Sequence, residues 1–368
     1  MKVYDFNLTQ TLECGQCFNF EKIDTDSDSS IEYVVCAMGR ALHVKQTFKA
    51  ASCTAAAHGS TDASDGDVIP AGRGASGGKD VHVSADASDA DIIPEPNGNI
   101  ISAGRDASGT DVIPGSRNFS CGAVMHSSAA AGSGMVSELE FLNASADDVE
   151  YIWIPYFDLN RNYSEIKYAV ASADSRLKSV IEKYYGMRIL NQDFCETLIS
   201  FIISQNKNIP QIKKCVKAIC RQAGPCLGDI NGKKYYGFPS LDSLSQMSEQ
   251  DFRDIKCGFR APYIVGAIKH MAGGLNAQEL SAGGYDEAKE KLISIRGVGD
   301  KVANCVLLFS LGFREAFPVD VWIKRIMQDL YFGGTETPKP VIEAKGRELF
   351  GRYGGYAQQY LFTYAREK

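Results

Sequence analysis

No stretch of this 368-residue chain is apolar for long enough to cross a membrane; runs such as "VLLF" at 306–309 fall far short of the ~20 residues a span needs. Residues 1–30 lack the basic start and continuous apolar core of a secretory signal, so an intracellular protein without membrane association is expected. The eleven cysteines have no regular spacing, which argues against a disulfide framework and predicts mostly free thiols in a reducing compartment. Histidine is scarce: of five, only His43 and His270 lie outside residues 51–137. That scarcity counts against a zinc or redox protein built on Cys215, Cys220 and Cys226. What is present is ordinary for a globular protein, 44% hydrophobic and 23% charged, with length for two or three domains.

The formal net charge of −6 is also not spread evenly. Residues 51–137 hold nine Asp and Glu95 against Arg73, Lys79, Arg105 and Arg117, which accounts for all of it. The remainder is neutral overall and free to carry a basic face, so net charge does not exclude a polyanionic partner. The same segment holds an imperfect repeat, "DASDGDVIP" at 62–70, "DASDADIIP" at 86–94 and "DASGTDVIP" at 106–114, with Phe119 as its one aromatic residue. So little apolar surface does not offset an ordering cost of ~1–2 kcal/mol per residue, and a disordered insertion is expected. A small calcium-binding or β-solenoid repeat is the alternative for Asp-rich turns.

The flanks of the insertion alternate apolar and polar residues. "QCFNFEKI" at 16–23, "EYVVCAM" at 32–38, "ALHVKQT" at 41–47 and "SELEFLNA" at 137–144 read as strands of an antiparallel sheet, interrupted at a hairpin. From Ser164 the period becomes 3.6, with amphipathic segments at 164–185, 195–205, 209–222, 261–272, 285–295, 301–312, 319–332 and 339–354. The expected fold is α+β: a sheet domain over 1–163 interrupted at 51–137, and an all-α domain over 164–368 with a helical hairpin at 286–312.

That hairpin carries the most chemistry. In "LISIRGVGDKVANCVLLFSLGFREAFPVDVWIKRIM", 292–327, two helices meet across Gly297-Val298-Gly299, where the glycines are expected to supply positive φ and close backbone approach. Bare N–H groups at the second helix's start suit a phosphate, although a turn of this kind also joins helices with no ligand. Lys301 lies where the helix dipole disfavours an ammonium, so it reads as a nucleophilic amine or as a solvated side chain touching a phosphate. Asp320 in "FPVDVW" is explained by helix capping alone.

Taken together, Gly-Val-Gly, Lys301, Cys305 and Pro-Val-Asp320 resemble the 8-oxoguanine DNA glycosylase branch of the helix-hairpin-helix (HhH-GPD) superfamily, in which the Lys marks bifunctional members. Three further segments match in order: "FIISQNKNIPQI" with Asn206 and Asn208, "CGFRAPYI" with Phe259 and Arg260, and "GGYAQQYLF" with Gln358 and Phe362. So does "CGQCFNF" at 14–20, where Gly15, Gln16 and Phe18 match a pocket-lining stretch of the N-terminal sheet. The likeness covers most of residues 4–50 and 138–368.

The resemblance implies a DNA N-glycosylase with AP lyase activity that excises 8-oxoguanine from duplex DNA. It implies catalysis by Lys301 and Asp320, and lesion recognition by Gly15, Gln358, Phe362 and Cys305. It further implies opposite-base and wedge contacts by Asn206, Phe259 and Arg260, and phosphate contacts at the Gly297 and Gly299 backbone. The partner is double-stranded DNA containing an oxidised purine, and the enzyme is expected to be monomeric, with no cofactor and no metal. The iron-sulfur relatives carry four clustered cysteines after the catalytic Asp; no cysteine follows Cys305 here, so no cluster is expected. Cys14 and Cys17 are expected to be bystanders in a strand.

Gln211 stands where eukaryotic members have an Arg that reads cytosine, and Trp322 replaces their His, as in a bacterial-type member. The acidic repeats have no counterpart in the family. Two rivals remain at this stage, a glycosylase for other damaged purines and a non-catalytic DNA-binding module that uses the hairpin only for phosphates.

Overall fold

Strand patterning in the first part of the chain becomes a five-stranded antiparallel sheet in the computed structural model, which describes residues 1–25, 29–48 and 136–367. The strands are β1 Lys2–Tyr4, β2 Phe20–Ile23, β3 Ser30–Ala37, β4 Arg40–Phe48 and β5 Val136–Phe141, in spatial order β1-β5-β4-β3-β2. Met38 (φ 53°) and Gly39 (φ 72°) turn β3 into β4, two successive left-handed residues as a tight hairpin requires. β4 and β5 pair from Val44↔Phe141 to Phe48↔Ser137, so the inserted sequence connects neighbouring antiparallel strands. The expectations for the repeats lie outside the described residues, except that positions 136 and 137 already belong to β5.

One face of the sheet buries Tyr33, Leu42, Val44 and Leu139 against Phe6, Leu8, Leu12, Trp153 and Phe157. Gln46 shares that buried side. Its amide donates to Phe6 O (2.8 Å) and Ser137 Oγ (2.7 Å) and accepts from Leu8 N (2.7 Å), so a fully buried polar group is satisfied while it fixes the chain entering helix Leu8–Leu12.

The strand expected from Gln16 begins only at Phe20; residues 13–19 are a loop, and Cys14 and Cys17 are therefore not strand residues. The reason is local. Gly15 has φ +90°, outside the β region, and Gln16 bonds across the molecule, donating to Thr11 O (2.8 Å) and Arg188 O (2.7 Å) and accepting from Leu190 N (2.8 Å). These bonds hold the Gly15 turn against the helical part of the protein.

Helical backbone begins earlier than the sequence period suggests, at 146–156; the segment expected over 164–185 is broken at Asp174, whose extended backbone ends Tyr163–Ala173 before helix resumes, and the remaining expected segments are helical. Phe194–Ser204 and Asp300–Phe309 pack on each other and are buried on nearly every side, as expected of inner helices. The pattern reading passed over the hairpin of β6 (Cys226–Ile230) and β7 (Lys233–Tyr236) and the short helices Leu241–Ser245, Glu249–Asp254 and Ala277–Ala282. No helix among the described residues is long and apolar enough to cross a membrane.

Candidate active site

The two inner helices, the loop at 13–19 and the last helix, Gly354–Glu367, converge on one pocket. Lys301 and Cys305, one turn apart on Asp300–Phe309, share it with Asp320, Gly15, Gln358 and Phe362. Six residues drawn from four distant segments thus meet in one cavity. Its remaining walls, Cys14, Phe201, Phe309, Pro318 and Gln359, were not anticipated. Phe201 and Phe309 read as ordinary core positions in the sequence; their adjacency to Lys301 appears only in three dimensions.

Lys301 is half-buried in the first turn of its helix, preceded by Asp300. Its Nζ donates to Ser204 Oγ (3.1 Å) and lies 4.6 Å from the centre of the Phe201 ring. That ring stacks on Phe309 (centroids 5.4 Å apart, 15° between planes) and meets Phe18 edge-on at 5.7 Å, so it is held on both sides. Burial pushes the Cys305 thiol up to about 11; the Asp320 carboxylate acts in the same direction and Lys301 opposes it.

Asp320 caps helix Val321–Tyr331, its Oδ1 accepting from Trp322 N (3.0 Å) and Ile323 N (2.8 Å). Capping takes Oδ1, and the residue also lines the pocket. Gln358 is buried and partly committed: Nε2 donates to Pro318 O (3.0 Å) and Oε1 accepts from Gln359 Nε2 (2.8 Å). One N–H and one lone pair of its amide remain for a ligand edge. Phe362 lies opposite Gly15, where an added Cβ would stand 3.6 Å from its ring and 3.1 Å from Ile209 Cδ1. Burial pushes the Cys14 thiol up to about 11 and Cys17 well above its ordinary value, which favours the protonated thiols over the thiolates that redox chemistry needs. Cys14 nevertheless lines the pocket.

A second group lies beside this pocket and does not line it. Phe259 is exposed at 52%, and the Arg260 guanidinium lies 4.2 Å from the centre of its ring. Arg260 is itself buried: Nε donates to Gln205 O (2.6 Å), Nη1 to Cys257 O (3.1 Å), and Nη2 also to Gln205 O. Asn206 is exposed with φ +50°, a left-handed conformation that Asn tolerates. Asn208 and Gln211 form a reciprocal capping box for helix Ile209–Ala223, which gives Gln211 a structural task that the sequence did not disclose.

The hairpin glycines differ from each other. Gly297 has φ +91°, and a Cβ there would collide with Tyr263 Cγ at 2.3 Å; its carbonyl accepts from Gln205 Nε2 (2.9 Å). Gly299, expected to share the positive φ, has φ −101°, ψ 179° and open space around it. It caps Asp300–Phe309 with no side-chain bond, so its small size keeps an exposed helix start accessible. Among the described residues, no group of three or more His, Cys, Asp or Glu is arranged to hold a metal ion.

Comparison with known proteins gives this geometry a lineage. The plant N-glycosylase/DNA lyase OGG1 of Arabidopsis thaliana is 36% identical over 244 residues, spanning 63% of this chain and 66% of its own length. A probable N-glycosylase/DNA lyase of Methanothermobacter thermautotrophicus is 31% identical over 240 residues, 60% of this chain and 74% of that protein. The solved 8-oxoguanine glycosylase/lyase of Clostridium acetobutylicum, in complex with dsDNA containing cytosine opposite 8-oxoG, superimposes with a TM-score of 0.69 at 30% identity. The match covers 99% of this chain and 93% of that one. Residues 1–198 match the family described as 8-oxoguanine DNA glycosylase, N-terminal domain, and residues 199–352 that described as HhH-GPD superfamily base excision DNA repair protein. The chain belongs to the 8-oxoguanine DNA glycosylase family of the HhH-GPD superfamily.

Proposed function

We propose that this protein excises 8-oxoguanine from duplex DNA and then cleaves the strand at the resulting site, using Lys301 as nucleophile. The observation that carries the reading is the meeting of the Lys301 amine and the Asp320 carboxylate in one pocket whose far walls are Gly15, Gln358 and Phe362. A base in a duplex must be flipped out to reach such a pocket, at a cost of ~ a few kcal/mol that contacts to both strands offset. Phe259, exposed beside the pocket, suits a wedge, and Asn206 is accessible to the orphaned partner base.

Lys301 Nζ forms a bond to the sugar C1′ as the C1′–N9 bond breaks; the bonding pair leaves with the purine, which takes up a proton. Opening of the sugar ring gives an iminium at C1′, which acidifies the C2′ proton. Loss of that proton expels the 3′ phosphate by β-elimination. Asp320 stabilises the positive charge that develops on the sugar and assists proton transfer from the amine. Phe362 covers the face of the flipped base, Gln358 offers its remaining N–H and lone pair to the edge, and the Gly15 carbonyl accepts the N7–H that oxidised guanine has and guanine lacks. One missing partner in a buried site costs ~1–3 kcal/mol, enough to bias selection.

Borohydride trapping on duplex DNA containing 8-oxoguanine tests this directly. The native protein forms a covalent adduct and Lys301→Gln does not; the absence of an adduct, or its persistence in the variant, removes the lysine mechanism. Because Gln211 stands where eukaryotic members have an Arg that reads cytosine, weaker discrimination of the opposite base is expected. Cleavage opposite C and opposite A then proceeds at similar rates, whereas a strong preference for C contradicts it.

A further inference from the structure

Resting on the reaction proposed above, we infer that Ser204 is a positioning residue for the nucleophile, one that aims the Lys301 amine. Ser204 is the last residue of helix Phe194–Ser204, and its hydroxyl is within 3.1 Å of Lys301 Nζ. That hydroxyl has one hydrogen, and it is already committed: Oγ donates to Phe201 O at 2.7 Å. The lone pairs of Oγ are therefore what Lys301 meets, so Ser204 accepts from the amine and does not compete for its lone pair.

The distinction matters for a flexible four-carbon side chain. An amine free to rotate about Cε–Nζ spends most of its time with the lone pair aimed elsewhere. Tying one N–H to Ser204 and turning the other toward the Phe201 face, whose centre is 4.6 Å from the nitrogen, leaves the lone pair as the position on Nζ that neither contact engages, on a residue that lines the pocket. Phe201 cannot yield, because Phe309 and Phe18 hold its ring. The C-terminal end of Phe194–Ser204 also presents its negative dipole end beside the nitrogen, which favours the positive charge that nitrogen carries in the iminium. Ser204 thus acts through Lys301 and touches no substrate.

The test compares Ser204→Ala and Ser204→Thr with the native protein by single-turnover excision and borohydride trapping on 8-oxoguanine duplex, alongside DNA dissociation constants and melting temperatures. Ser204→Ala slows single turnover by roughly tenfold to a hundredfold, with DNA affinity and melting unchanged. Ser204→Thr, which keeps the hydroxyl, recovers most of the rate. The inference is overturned if Ser204→Ala excises at the native rate, if its loss of rate is matched by a loss of affinity or melting temperature, or if Ser204→Thr is as slow as Ser204→Ala. A native protein that neither excises nor traps overturns the proposed function itself, a different result from a native protein that traps while Ser204→Ala equals it.

Discussion

Replacing Asp320 by Asn removes a negative charge yet keeps an oxygen able to accept the N–H groups of Trp322 and Ile323, now bonded at 3.0 and 2.8 Å. Asn and Asp cap helices about equally well, so the structural loss is confined to the charge–dipole interaction, ~0.3–1 kcal/mol. Asp320→Ala loses the cap as well, ~1 kcal/mol more. In a protein of this size each kcal/mol moves the melting temperature by roughly 1–2 °C. Asp320→Asn should therefore melt within about 2 °C of the native protein, and Asp320→Ala a further ~1–2 °C lower. Catalysis divides differently. A preorganised group facing developing charge in a water-poor pocket is worth ~10²–10³ in rate, so both variants should fall by that factor in single-turnover release of 8-oxoguanine. Asn excising within threefold of the native rate would refute the charge-stabilising role. Equal destabilisation of Asn and Ala would refute the capping account.

The hairpin glycines offer a contrast. Gly297→Ala, forced against Tyr263 at φ +91°, should lower stability by ~2 kcal/mol or more. Gly299→Ala has room and an ordinary φ, so it should melt normally but bind duplex DNA more weakly; unchanged affinity removes the phosphate from that helix start. Gly15→Ala puts a methyl 3.1 Å from Ile209 and 3.6 Å from Phe362, so base excision should suffer more than DNA binding, and equal losses in both contradict a pocket role. Burial, and then Asp193, push the Glu196 carboxyl up to about 8, well above the ordinary carboxyl range near 4.5. Between those limits the folded protein holds a proton that the unfolded chain has released, so stability falls as pH rises through that window and levels off above it. Denaturant titrations at several pH values should show that slope flattened in Glu196→Gln; an unaltered slope sinks the assignment.

Six residues of the pocket were legible through the family resemblance, which rests on residue types at distinctive spacings: Gly-Val-Gly then Lys301, Pro-Val then Asp320, Gln358 four before Phe362. Side chains that hold those residues were not. Ser204 and Gln205 act through bonds to residues 97 and 92 positions away, and no local pattern encodes such a pairing. Phe201 and Phe309 were hidden for another reason, since helices apolar on every side offer no face to single out. The β6–β7 hairpin did leave a signal, Asn231-Gly232, both with positive φ, but the flanking strands are too short and polar for alternation to stand out. At residues 13–19 the strand reading failed because the loop is fixed by Gln16 and by the φ of Gly15, neither of which alternation senses.

Phe48 and Ser137 face each other across β4 and β5, so the chain leaves the sheet and returns to it about one strand spacing, ~5 Å, away. Two such ends make a natural port for foreign sequence. Each doubling of the connecting length adds only ~0.6 kcal/mol of closure entropy, so descendants of an ancestral gene can lengthen or shorten this link while Lys301, Asp320 and Gly15 keep their places. The same geometry offers an experimenter a splice point: a reporter domain with adjacent termini, or a two-residue turn, can take the place of the natural link without being asked to take part in repair.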